Sequence, residues 1–111
     1  MLVEVTLKNG YHVLRLKDPV TLNTDMSDLR RVVDDYIGEG VRRFALRFTT
    51  DSYFYTKHIS VLVQCLEHIR EHNGDLAVIR PNEDIVDVLR TIGFFDLTKI
   101  YETEDELKSD G

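Results

Sequence analysis

Residues 3–17 read VEVTLKNGYHVLRLK, two short segments joined by Asn9-Gly10. Apolar and polar residues alternate over 3–8, which is the period of a half-buried β-strand. An Asn-Gly pair favours a two-residue β-hairpin turn, because both residues tolerate positive φ. Pro19 ends the return strand, since proline has no N–H to donate to a neighbour. The sequence therefore predicts an antiparallel hairpin at the start of the chain.

Beyond the hairpin, helical patterns alternate with short apolar runs. The helical segments are Met26–Ile37, Thr56–His72 and Asn82–Gly93, and the short runs typical of strands are Phe44–Phe48, Leu76–Ile79 and Lys99–Tyr101. A fourth, short helix is predicted from Thr103 onward. Helices between successive strands imply crossover connections and parallel strands. We therefore predict an α/β fold: a mixed, mostly parallel β-sheet with an N-terminal hairpin and about four helices.

The size and charge of the chain limit its function. Its 111 residues suit a single domain, predicted over 1–111 with a frayed tail at 108–111. With 20 acidic and 14 basic residues the net charge is −6, which repels phosphate backbones and anionic lipids, so no nucleic-acid partner is expected. No apolar run approaches the ~20 residues that span a bilayer, so no membrane insertion is expected. A lone cysteine and the absence of a signal-peptide pattern at residue 1 predict a cytoplasmic protein.

Two patterns suggest chemistry, and both are weak. His68 and His72 fit H-x-x-E-H, with Cys65 one turn earlier, so a metal-binding enzyme that uses these histidines is a remote alternative. A zinc protease also needs a large cleft and a distant third ligand. Ser52 and His58 lie near each other in sequence, but no G-x-S-x-G motif surrounds the serine. We therefore expect no catalytic residues, no metal and no cofactor.

The run Tyr53-Phe54-Tyr55 points to binding instead. It precedes the second helix, at the carboxyl end of a predicted parallel strand, where open α/β sheets bind their ligands. Tyrosines are enriched at protein interfaces. We expect one or two of these aromatic rings to be buried and Tyr55 to lie nearer the surface.

The order of elements resembles the STAS domain, the fold of bacterial anti-sigma factor antagonists, over about residues 3–108. Three stretches carry the resemblance: GVRRFAL at 40–46, NGDLAV at 73–78 and VLRTIGFFDL at 88–97. It implies a single STAS-like domain that binds a protein partner.

The family's Asp-Ser-Ser-Gly-Leu motif falls on residues 55–59 when the chain is aligned without gaps from Leu46 to Leu62. The resemblance therefore places Thr56 at the phosphorylated position, while Tyr55 replaces the aspartate and His58 the glycine. A phosphate on Thr56 would lie at a helix N-terminus, which stabilises anions. Lys57 and His58 would help to neutralise it.

By this resemblance, the chain binds an anti-sigma factor or a serine/threonine kinase-like protein in a partner-switching pathway. The predicted binding residues are Leu22, Asn23, Tyr53, Tyr55, Thr56, Lys57 and His58. The alternative is a non-phosphorylated STAS adaptor within a larger complex for lipid transport or stress sensing. The sequence leaves homo-oligomer formation open.

Overall fold

A computed structural model describes residues 2–79, 82–94 and 98–108. The elements are β1 (Val3–Lys8), β2 (Tyr11–Leu16), α1 (Ser27–Gly38), β3 (Arg43–Arg47), α2 (Thr56–Glu71), β4 (Asp75–Ile79), α3 (Glu83–Thr91), β5 (Lys99–Tyr101) and a 3₁₀ helix (Glu104–Glu106). Residues 95–97 of the third STAS-like stretch and residues 109–111 of the predicted frayed tail lie outside this description, whereas Lys108 is exposed. No described helix is long and apolar enough to cross a membrane.

The strands form one sheet in the order β1-β2-β3-β4-β5. β1 and β2 are antiparallel, and Lys8 lies opposite Tyr11 across the turn. Asn9 and Gly10 have φ of 51° and 86°, the positive values that the hairpin turn requires. The other three strand pairs are parallel. The predicted α/β fold with its N-terminal hairpin is confirmed.

Each face of the sheet has its own apolar core. One core packs alternate strand residues, such as Leu14 and Leu46, against the buried stripes of α1, α2 and α3. The other lies on the opposite face, where Val13 and Ala45 pack against Leu107 from the end of the chain. With helices on one face and the C-terminal segment on the other, the centre of the sheet is buried on both sides.

The predicted fourth helix is a single 3₁₀ turn, so the described residues contain three α-helices rather than about four. Glu104 and Leu107 are both buried, at 7% and 1% exposure. Glu104 begins the turn and bonds to Arg15 of the sheet, and Leu107, which directly follows the turn, packs in the second core. Leu107 itself is extended, which ends the turn.

Candidate functional site

Two loops meet at the carboxyl ends of β2 and β3. The first, residues 17–26, follows β2, and the second, residues 48–55, follows β3. The Ser52 hydroxyl is 3% exposed and accepts a hydrogen bond from the Val20 N–H at 2.9 Å. The Tyr53 N–H in turn donates to the Val20 carbonyl at 2.9 Å. These bonds join the loop that carries Leu22 and Asn23 to the loop that carries Tyr53 and Tyr55, and both loops belong to the predicted binding surface.

The second loop exposes two of its three aromatic rings. Tyr53 and Tyr55 are 44% and 40% exposed, with ring centroids 4.9 Å apart; we call this pair the tyrosine patch. Phe54 between them is 2% exposed and packs edge-on against Phe48 at 4.8 Å. Leu22 on the first loop is 58% exposed. This alternation matches the prediction from the aromatic run, and it leaves apolar side chains in solvent at this end of the sheet.

Thr56 is the first residue of α2 and is exposed. The residue before it, Tyr55, is extended, with φ −99° and ψ 171°. The first N–H groups of a helix have no acceptor within the helix, and they carry the positive end of its dipole. Lys57, the next residue, is also exposed. Thr56 is therefore accessible at a position where a phosphate would be stabilised.

His58 lies inside the protein rather than on the predicted surface, with 1% exposure. Its Nδ1 accepts a hydrogen bond from the Tyr55 N–H at 3.0 Å, and its Nε2 lies 2.9 Å from the Thr24 carbonyl oxygen. The ring therefore offers neither a contact surface nor a free nitrogen to a phosphate on Thr56. The prediction placed His58 on the surface because the resemblance puts it within the STAS motif at the start of the second helix.

Asn82, the residue before α3, contacts the second loop as well as the helix. Its Oδ1 accepts from the Ile85 N–H at 2.9 Å, as a cap should. Its Nδ2 donates to the carbonyls of Thr50 and Ser52, both at 2.8 Å. Asn82 thus joins the start of α3 to the loop that presents the tyrosine patch.

The residues of the metal alternative have other roles in the structure. Cys65 is fully buried, and burial raises its pKa to about 12, so it is an unreactive core thiol. His68 Nε2 lies 3.2 Å from an Asp34 carboxylate oxygen, and His72 Nδ1 donates to the His68 carbonyl at 3.0 Å. Among residues 2–79, 82–94 and 98–108, no three His, Cys, Asp or Glu side chains are grouped to hold a metal ion.

The hydrolytic pairing of Ser52 with His58 does not form either. Both ring nitrogens of His58 are hydrogen-bonded to backbone groups, and the Ser52 hydroxyl is buried against Val20. The histidine therefore has no free nitrogen with which to take a proton from the serine.

Solved structures of two bacterial proteins have a similar fold. TM1081 of Thermotoga maritima, described as a candidate anti-sigma factor antagonist, has a crystal structure with a TM-score of 0.77 and 20% identity, over 91% of this chain and 86% of that one. Its NMR structure also gives 0.77 and 20%, over 96% and 85%. The Bacillus cell fate determinant SpoIIAA, in its phosphorylated form, gives 0.66 and 10%, over 94% and 95%. At these identities the likeness concerns the fold.

No curated protein sequence matches the chain. The family profile described as the STAS domain matches residues 3–107, nearly the whole length. The hairpin-led sheet, the helices on one face and the exposed start of α2 are thus features of a protein that belongs to the STAS domain family.

Proposed function

We propose that this protein is a non-catalytic regulatory module of the cytoplasm that binds an anti-sigma factor or a serine/threonine kinase-like protein. The observation that carries the proposal is the exposed tyrosine patch directly beside Thr56, at the start of α2. Family membership and the structural likeness to TM1081 and SpoIIAA support the class of partner.

The proposed contact surface has the chemistry of a protein interface. Tyrosines that stay partly exposed on a rigid support are common energetic centres of interfaces, because two χ angles cost little to order. Leu22 adds aliphatic surface from the neighbouring loop. The surface consists of Leu22, Asn23, Tyr53, Tyr55, Thr56 and Lys57, without the side chain of His58.

Phosphorylation of Thr56 is the proposed switch. It would add about −1.5 to −2 charges next to Tyr55, in a protein that already carries a net charge of −6. Lys57 is the adjacent cation. The helix N-terminus would stabilise the phosphate in the free protein, while the charge would repel an apolar or acidic partner surface.

The test is direct binding to purified anti-sigma factors and kinase-like proteins encoded in the same genome. Thr56→Ala should bind one of them within about threefold of wild type, since it removes only a hydroxyl and a methyl group and adds no charge. Thr56→Asp should bind at least about tenfold more weakly, because it places a charge in the interface. Equal binding by both variants would exclude the switch, and no binding by the wild type would exclude this class of partner.

The tyrosine patch can be tested separately. Tyr53→Ala and Tyr55→Ala should each weaken binding by about fivefold or more. Leu7→Ala is the matched control, because Leu7 is a 71% exposed apolar residue of β1 beside the hairpin turn, at the opposite end of the sheet. An equal loss of affinity in the control would mean that the partner contacts another surface.

The second candidate function is a non-phosphorylated adaptor subunit of a larger complex, such as one for lipid transport or stress sensing. Bulky Tyr55 beside Thr56 favours it, because an aromatic contact surface does not require modification. Incubation with the kinase that binds the protein separates the two functions. A stoichiometric phosphothreonine at position 56 counts against the adaptor, and its absence counts against the switch.

A further inference from the structure

The imidazole of His58 lies between the two halves of the proposed contact surface. Its Nε2 is 2.9 Å from the carbonyl of Thr24, which directly follows Leu22 and Asn23 in the first loop. Its Nδ1 is 3.0 Å from the N–H of Tyr55, the residue that precedes α2. One buried ring thus joins two segments that are 34 residues apart in sequence.

These two bonds determine where the ring carries its hydrogen. A carbonyl oxygen only accepts, so Nε2 must donate to Thr24. The Tyr55 N–H only donates, so Nδ1 must present its lone pair. Only the neutral ring with its hydrogen on Nε2 satisfies both. The rings of Phe54 and Tyr55, with centroids 6.3 and 5.8 Å away, pack around it.

We propose that His58 is a positioning residue: through Thr24 and Tyr55 it holds the loop of Leu22 and Asn23 in place against the start of α2. The proposal rests on the proposed function, in which both segments contact the partner. Holding them before binding lowers the cost of ordering them on binding. The STAS motif has glycine at this position, and glycine has no side chain to form such a bridge, so the bridge is a property of this chain.

Long-range ¹H–¹⁵N correlation spectra of the imidazoles in the full chain give the first test, which needs no partner. At neutral pH we expect His58 to show a hydrogen on Nε2 and a bare Nδ1. A hydrogen on Nδ1, with or without one on Nε2, would overturn the proposal, because the Tyr55 bond could not then exist.

Two substitutions separate the bonds. In His58→Asn the side-chain oxygen lies near the former Nδ1, so it keeps the acceptor for Tyr55 and loses the bond to Thr24. In His58→Gln the amide nitrogen lies near the former Nε2, so it keeps the donor to Thr24. His72→Asn is the matched control, since His72 is an exposed histidine in the cap at the far end of α2.

The structural readout is amide exchange at Thr24, whose N–H donates to the Thr21 carbonyl at 3.0 Å. In His58→Asn this exchange should become about tenfold faster, because the loss of one buried bond releases the loop. It should stay near the wild-type rate in His58→Gln and in His72→Asn. Unchanged exchange in His58→Asn, or equal acceleration in His58→Gln, would overturn the positioning role. If His58→Asn fails to fold, the exchange rate at Thr24 in His58→Gln is compared with that of the wild type, and a faster rate in His58→Gln overturns the positioning role.

The functional readout is affinity for the purified anti-sigma factor that the wild type binds. His58→Asn should bind about tenfold more weakly, and His58→Gln within about threefold. If His58→Asn accelerates exchange at Thr24 but binds the anti-sigma factor with wild-type affinity, the inference is overturned and the proposed function stands. A different result is that the wild type binds no anti-sigma factor while His58 carries its hydrogen on Nε2 and the loop responds to the substitutions as expected. That result would refute the proposed function and leave the bridge intact.

Discussion

At the scale of single residues, one carboxylate fastens the end of the chain to the sheet. Glu104 accepts from Arg15 Nε at 2.9 Å and Nη2 at 2.5 Å, and from Arg47 Nη1 at 2.5 Å. These bonds lie on the face of the sheet opposite the helices, beside a polar cleft of about 680 Å³. The hydrogen bonds from Arg15, then those from Arg47, lower the pKa of Glu104, although its burial opposes the shift.

Glu104→Gln should lower the free energy of unfolding by about 2 kcal/mol at pH 7, because it removes the negative charge that pairs with both arginines and replaces one acceptor oxygen with an NH₂ group that cannot accept, while both arginines keep access to water. Since the pKa of Glu104 is lowered on folding, its stabilisation is full above the unfolded pKa of about 4.3 and is lost as the pH falls through the folded value. Urea unfolding of both proteins at pH 7 and below pH 4 checks this. The difference in the free energy of unfolding between the two proteins should be smaller below pH 4 than at pH 7.

Asp105→Asn is the control for this prediction. Asp105 pairs with Lys8 at 2.6 Å but is 83% exposed. Exposed pairs contribute little, so this change should leave unfolding within about 0.5 kcal/mol of wild type. If Asp105→Asn lowered the free energy of unfolding as much as Glu104→Gln does, the local negative charge rather than the buried bonds would stabilise the C-terminal segment.

Gly74 is a second residue whose identity the packing demands. A Cβ added here would lie 2.4 Å from the Arg42 carbonyl oxygen and 2.8 Å from Ile69 Cγ2. Gly74→Ala should therefore cost about 2 kcal/mol and lower Tm by roughly 8 °C, measured by thermal circular dichroism. Gly38→Ala has nothing within 4 Å of the new Cβ and should leave Tm unchanged or raise it slightly. Similar losses in both would contradict a steric cause.

At the scale of elements, the connections between helices and loops organise the carboxyl end of the sheet. Ser52 joins the loop before α2 to the loop before α1, and Asn82 joins it to the start of α3. The loop that carries the tyrosine patch is therefore held by two other segments of the chain.

Asn82→Ala should cost about 2 kcal/mol, because it removes the cap on Ile85 and both donors to the second loop. Asn82→Asp keeps the cap acceptor but turns a carboxylate oxygen toward the carbonyls of Thr50 and Ser52. In Asn82→Asp the amide exchange of α3 should stay slow while that of residues 50–55 accelerates. Acceleration confined to α3 would contradict a role in the loop.

At the scale of the whole molecule, the two cores lie on opposite faces of one sheet, whose centre is buried on both sides. Cys65 lies in the larger core, without solvent exposure. Its thiol thus reports on opening of the whole fold rather than on a local movement.

The thiol of Cys65 should react with an aromatic disulfide reagent only through unfolding. Burial and its pKa of about 12 leave almost no accessible thiolate in the native protein. The rate should rise with urea in parallel with the loss of ellipticity. A fast, urea-independent reaction would show that α2 opens locally.

The sequence by itself determined the elements whose signals are local. Asn9-Gly10 forms its hairpin because adjacent residues tolerate the positive φ values found there. The spacing of apolar residues placed the helices and the parallel strands to within one or two residues, except for the final turn. The aromatic run at 53–55 also indicated that at least one ring would be buried and that Tyr55 would lie nearer the surface, since alternation is a property of neighbouring positions.

Only the tertiary structure decided which polar side chains are buried. His58 finds its partner in Thr24, 34 residues earlier, and Glu104 finds Arg15, 89 residues away. A polar group is buried only where such partners replace its water, and composition or periodicity does not show which distant groups meet. The sequence therefore predicted a contact surface at the start of α2, and the fold decided that the His58 side chain would be buried there, bonded to Thr24 and Tyr55.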